Sequence, residues 1–142
     1  MLRHGDAEDG SPDSERPLSD KGRGQAEAAG RALAALGVGI DACVTSPKVR
    51  ARDTAALACA ALGVEPEEDR RLEEGPFDPR EVAEGRGDEV LLVDHDPDFS
   101  VAVNNLTGAQ VRMKKGGLAA VDRGELKVLL RPRELALLAR AG

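Results

Sequence analysis

The sequence predicts an α/β protein of three layers, with helices on both faces of a mostly parallel sheet and antiparallel strands at one edge. Three observations lead there. Short apolar runs alternate with stretches of helical period in the order strand, helix, strand, helix, strand, helix, which calls for parallel strands joined by crossover helices. Each run stops at a turn-forming residue. The tail then changes to short runs separated by Gly116-Gly117 and Arg123-Gly124, the pattern of hairpin turns. The 142 residues read as one domain over 1–142, long enough to bury a core.

Taken in order, residues 6–18 are polar and turn-rich and read as a surface loop. Ser19 is placed to cap a helix, and Ala26, Ala29, Leu33 and Leu36 give that helix an apolar face that Gly37 closes. Ile40 to Thr45 reads as a strand ended by Pro47, and a second helix runs from about Lys48 to Leu62, closed by Gly63. Residues 63–88 are charged and broken by Pro76, Pro79, Gly85 and Gly87, with room for a short helix near Arg80 to Glu84. Glu89 to Val93 is a continuous apolar run, as in a strand buried on both faces. A helix follows from Phe99 to Leu106, with Pro97 near its first turn and Gly108 at its end. Val111–Lys114, Leu118–Val121 and Leu126–Leu130 read as short strands, and Glu134 to Ala141 as a last helix.

Composition excludes several functions. The chain has two Phe and no Tyr or Trp, so bases would find almost no aromatic platform to stack on. Its net charge of −6 also opposes phosphate-backbone binding, which rewards basic surfaces. No apolar run nears the ~20 residues that span a bilayer, and Met1-Leu2-Arg3-His4 is not a signal peptide. The expectation is a cytoplasmic protein with no nucleic-acid or membrane partner. Cys43 and Cys59, both in apolar surroundings, read as buried reduced thiols. Two Cys and two His at these spacings do not make a metal set, and no cofactor is expected.

The chemistry is concentrated in three segments: Leu2-Arg3-His4-Gly5, Ser46 to Ala55, and Val93-Asp94-His95-Asp96-Pro97. They hold both histidines of the chain. His4, Ser46 and His95 each follow an expected strand, and ligands of open α/β sheets bind at that end, where helix N-termini also favour anions. Each element alone has a plainer reading: Arg3-His4-Gly5 as a surface turn, His95 as a structural hydrogen-bonder, Arg50 as a solvated helix residue. Together at one rim they suit a phosphoryl group, whose transfer needs positioning and positive charge. Arg3 and Arg50 can grip its oxygens as forks. Adjacent guanidiniums disfavour a second cation and keep His4 neutral and nucleophilic. His95 is then the cationic partner that stabilises the transferring group, and phosphate passes through a phosphohistidine before water releases it. No metal is required.

With those residues in view, the chain resembles the histidine phosphatase superfamily, of phosphoglycerate mutase-like fold. Its hallmark R-H-G is Arg3-His4-Gly5. Its S-P-x-x-R-A-x-x-T-A segment is Ser46 to Ala55, giving Arg50, and its V-x-H-x-P segment is Val93 to Pro97, giving His95. The match is closest to SixA-type phosphohistidine phosphatases through Arg3-His4-Gly5-Asp6-Ala7-Glu8, Arg16-Pro17-Leu18-Ser19, Lys21-Gly22, Met113 to Ala119 and Leu129-Leu130-Arg131-Pro132. The resemblance implies that His4 is the nucleophile, that Arg3, Arg50 and His95 form the phosphate pocket, and that Gly5 lets the loop approach the oxygens.

The family's sugar-phosphate enzymes carry a lid and an acid for an alcohol leaving group. Between Leu72 and His95 there is little room for a lid, and Glu73 and Glu74 are the only acid candidates. Imidazole, with pKa ~6.5, leaves more easily than an alkoxide, so the expected substrate is phosphohistidine on a protein. The alternatives are a phosphatase of small phosphomonoesters and a phosphate-binding module without chemistry. Two departures from the pattern bear on these. The first strand, with only Met1 and Leu2 before Arg3, is shorter than the family's: either the true start lies upstream or the strand is truncated and the fold marginal. Asp94 and Asp96 flank His95, where two carboxylates would oppose an incoming phosphate. Arg16 is expected to fix the loop after His4 by pairing with Asp13 or another acid, a structural role in preference to a catalytic one.

Overall fold

The computed structural model describes residues 1–141. In chain order the elements are β1 (Leu2–Arg3), α1 (Asp20–Ala35), β2 (Ala42–Thr45), α2 (Val49–Leu62), β3 (Pro66–Glu68), α3 (Pro79–Ala83), β4 (Val90–Asp94), α4 (Asp98–Thr107), β5 (Leu118–Asp122), β6 (Glu125–Leu130) and α5 (Pro132–Ala141). Short 3-10 turns lie at Asp13–Glu15 and Arg70–Leu72. The sheet runs β3-β2-β4-β1-β5-β6. β1, β2, β3 and β4 are parallel, while β5 and β6 join antiparallel at one edge.

Local chemistry explains the helix ends. Ser19 Oγ accepts from Gly22 N at 3.0 Å and starts α1. Gly63 and Gly108 end α2 and α4 in left-handed conformations. The turn between β5 and β6 places Arg123 and Gly124 both at positive φ, the conformation a two-residue hairpin needs.

Alternation along the strands builds the three layers. Cys43, Leu91 and Val93 face a core formed with α1, α2 and α5. Val44 and Leu92 face the opposite core, with Val82, Phe99 and Met113. Alanines and Gly30 let α1 and α2 pack closely: a Cβ on Gly30 would lie 2.3 Å from Ala58 O.

Two expectations are corrected. β3 forms from Pro66–Glu68, a charged stretch with no apolar alternation, because an edge strand pairs through its backbone with β2 alone. Val111–Lys114 is not a strand. The buried Met113 gives its carbonyl to the Arg3 guanidinium at 2.6 Å instead of to a neighbouring strand. β1 is as short as expected, yet central. The Met1 amino group donates to Ala119 O at 2.7 Å, and burial lowers its pKa to about 5. Beyond it, the edges of β4 and β5 border an apolar cavity of about 480 Å³ that reaches Leu33 and Leu106.

Candidate active site

Because β1, β2 and β4 run parallel, the residues that follow them share one rim of the sheet. His4 N donates to Asp94 O at 3.0 Å and Ser46 N to Val93 O at 2.9 Å, so the three strand ends are tied side by side. The N-termini of α1, α2 and α4 open onto the same rim.

His4 is buried, 6% exposed. Its Nδ1 lies 2.7 Å from Gly5 O. A carbonyl only accepts, so Nδ1 carries the proton and Nε2 keeps its lone pair. Burial lowers the imidazole pKa to about 4, opposed by the Gly5 carbonyl and reinforced by the charges of Arg50, Arg3 and His95. Those charges act on His4 because the three chain-distant segments converge there.

The loop under His4 is held from two sides. Gly5 N donates to Thr54 Oγ1 at 3.0 Å, and that hydroxyl donates to Arg50 O at 2.7 Å, which fastens the His4 loop to α2. On the other side lies α1: a Cβ on Gly5 would sit 2.5 Å from Gly22 O, and one on Gly22 would sit 1.9 Å from Asp6 O. Gly5 is thus small because the α1 backbone presses on it.

Arg50 stands in the first turn of α2 and is nearly buried. Its Nη1 donates to Asp13 O at 2.8 Å and its Nη2 to Asp13 Oδ2 at 3.1 Å. Arg16 Nη1 meets Asp13 Oδ1 at 3.1 Å, as anticipated, and Lys48 Nζ lies 3.9 Å from Oδ2. Hydrogen bonds from Arg16 and Arg50 hold this carboxyl below the usual carboxylate range. The carboxylate of Asp13 therefore lies where three cations converge. Its grip on Arg50 is a feature that sequence reasoning missed, since a loop aspartate carries no mark of a partner 37 positions away.

Arg3 projects from the end of β1. One Nη donates to Met113 O, while its buried Nε has no protein partner. His95 follows β4, with Nδ1 2.5 Å from Asp94 Oδ1 and Nε2 2.9 Å from Asp98 Oδ2. The sequence expects both Asp94 and Asp96 to flank this ring; the structure keeps Asp94 there and corrects Asp96. Asp96 turns into α4, accepting from Ser100 N at 3.0 Å and Ser100 Oγ at 2.6 Å. Asp98, three residues beyond His95 and at the start of the helix, takes its place. Burial raises the pKa of the fully enclosed Asp94. The ligand atoms of Asp94, His95 and Asp98 lie within 4.8 Å of one another. The two carboxylates approach different ring nitrogens. Asp94 Oδ1 and Oδ2, His95 Nδ1 and Asp98 Oδ2 are all buried without a hydrogen-bond partner, so these close contacts are charge pairings and not aligned hydrogen bonds. Glu73 closes the Arg70–Leu72 turn through its backbone N–H, and Glu74 is exposed.

Known proteins share the sequence pattern and the fold. The model of the histidine phosphatase superfamily (branch 1) matches residues 1–111. The tungstate complex of the protein histidine phosphatase SixA superimposes with a TM-score of 0.80 at 25% identity, covering 94% of this chain and 96% of that one. A SixA-named chain of Nakamurella multipartitia gives 0.76 at 26% identity, covering 100% and 88%. The α-ribazole phosphatase of Shigella flexneri shares the fold at 0.70 and 18% identity, covering 92% and 95%. No helix among the described residues is long and apolar enough to cross a membrane.

Proposed function

The chain belongs to the histidine phosphatase superfamily, and within it we propose a phosphohistidine phosphatase that acts on protein through a covalent intermediate on His4. The observation that carries the reading is the placement of His4: Nδ1 lies 2.7 Å from Gly5 O, which leaves the lone pair on Nε2, and the buried ring stands within the charge of Arg50 and Arg3. His4 Nε2 attacks phosphorus as the P–N bond of the substrate breaks. The departing ring leaves as neutral imidazole when its other nitrogen carries a proton, so no strong acid is needed. Arg3 and Arg50 balance the charge on the equatorial oxygens, and His95 hydrogen-bonds the group in flight once an oxyanion displaces Asp98. Water then attacks the phosphorus of phospho-His4, releasing inorganic phosphate and restoring the imidazole. The chemistry rests on guanidinium and imidazole charge and uses no metal.

The likeness to the SixA–tungstate complex supports both oxyanion binding and the phosphohistidine substrate. So does the lack of any side-chain hydrogen bond or ion pair that would fix Glu73 or Glu74 as an acid among the described residues. Two buried free thiols, Cys43 and Cys59, suit a reducing, cytoplasmic setting. Turnover of a phosphohistidine-bearing carrier protein, measured beside p-nitrophenyl phosphate, phosphoserine and α-ribazole phosphate, tests the reading. It requires the highest kcat/KM for phosphohistidine; a preferred phosphoester would move the assignment to a small-molecule phosphatase.

A further inference from the structure

Beside the candidate phosphate pocket lies a groove of about 450 Å³ whose lining is almost wholly cationic: Arg3, Lys21, Lys114, Lys115, Arg131 and Arg133, with Asp6 as the only acid. The remainder of the molecule has the opposite character, since 26 acidic residues outnumber 20 basic ones in the whole chain. Two of the six cations are paired, Lys115 with Asp6 at 3.6 Å and Arg131 with Glu134. Arg3, Lys21, Lys114 and Arg133 have no carboxylate partner among the described residues.

The topology that builds the active site also builds this groove. β5 runs antiparallel to β1, so Lys114 and Lys115, which precede it, return to the rim where His4 lies. β6 ends at that rim and delivers Arg131 and Arg133. α1 and α5 pack together and both begin there, adding the positive ends of a 16-residue and a 10-residue helix. Arg3 belongs to both places: its charge acts on His4, and its buried Nε lacks a partner. The four unpaired cations are mounted on separate elements across the groove, so their charges spread along a path leading away from His4.

The geometry points to a docking surface for an acidic polypeptide: the carboxylate-rich surface that surrounds the phosphohistidine of the substrate protein. This rests on the proposed function and adds to it how the protein part of the substrate is held. Complementary charge speeds encounter and sets orientation more than it tightens a final complex. The groove would present phosphohistidine to His4 in one approach and disfavour basic partners. The net negative charge elsewhere would repel an acidic carrier from every other face.

The test uses the whole chain and a variant carrying Lys21→Glu, Lys114→Glu and Arg133→Glu, none of which holds the reacting group. Two substrates are compared, a phosphohistidine-bearing carrier with an acidic surface and phosphoramidate. In the variant, kcat/KM for the carrier should fall by roughly tenfold or more at low salt, its salt dependence should flatten, and phosphoramidate turnover should hold. Unchanged carrier kinetics would overturn the inference, as would equal losses on both substrates. Fluorescence anisotropy of the unphosphorylated carrier gives an arm independent of catalysis and of folding defects in the variant. Wild-type protein should bind it, and a carrier whose surface carboxylates are changed to amides should bind more weakly. Binding that ignores the carboxylates refutes the docking surface. If no phosphoprotein is turned over while carrier binding follows charge, the proposed function fails and the groove assignment stands. If inorganic pyrophosphate, and not the carrier, shows the charge dependence, the groove serves a second phosphate and the inference is wrong.

Discussion

Acidification should destabilise this fold through His4, by an amount the structure sets. The imidazole is 6% exposed, and burial followed by the nearby guanidiniums lowers its pKa to about 4 from 6.5. Between those two values the unfolded chain binds a proton that the folded chain refuses. Stability from this group is therefore full above pH 6.5 and is lost as pH falls through about 4. At 1.36 kcal/mol per pKa unit, the loss amounts to about 3 kcal/mol. The buried Met1 amino group, lowered to about 5 from 8.0, acts in the same direction, so the His4 part must be read as a difference. Urea unfolding of wild type and His4→Gln, run at intervals from pH 7.5 to 4.5, isolates it. The wild-type curve should fall more steeply, and the gap between the two should close by most of that amount, because a proton bound only by the unfolded chain penalises wild type alone. Curves that stay parallel, or an NMR titration of His4 with a midpoint near 6.5, would refute the claim that His4 is held neutral.

Further consequences concern the neighbours of His4. Asp13→Ala removes a carboxylate that occupies Arg50; exposed ion pairs are worth about 1 kcal/mol or less, so tungstate measured calorimetrically should bind up to about fivefold tighter, and weaker binding would make Asp13 an organiser of the pocket. Arg50→Ala removes charge-assisted hydrogen bonds of about 1.5–3 kcal/mol, so oxyanion affinity should fall by roughly tenfold to a hundredfold, with kcat falling alongside; wild-type values in both would remove Arg50 from the mechanism. Gly5→Ala drives a methyl against Gly22 O, 2.5 Å away, and should cost about 1–3 kcal/mol in urea unfolding, whereas an unchanged midpoint would mean that α1 moves aside freely.

Local chemistry made most of the architecture legible. Ser19 announces α1, Gly63 and Gly108 announce the ends of α2 and α4, and the apolar run before Asp94 announces a strand enclosed on both faces. These signals act over a few residues, so they survive in the sequence. β3 carries no such signal, because an edge strand is defined by the neighbour it pairs with. Val111–Lys114 gave a false one: its apolar residues serve burial of Met113, while its backbone serves Arg3. The site divides in the same way. His4, Arg50 and His95 could be gathered in advance, because residues that follow parallel strands share a rim. Their immediate partners could not. Asp13 reaches Arg50 across 37 positions, and the choice of Asp98 over Asp96 beside His95 depends on how α4 begins.

The proposed mechanism requires phosphate to become bonded to His4. Brief incubation of the protein with a phosphohistidine carrier labelled with ³²P, quenched in base and mapped by peptide mass spectrometry, measures this directly. Acid-labile, base-stable phosphate should appear on the peptide containing His4 and be absent from His4→Ala. Turnover with no label on that peptide, or the same label in His4→Ala, would contradict it.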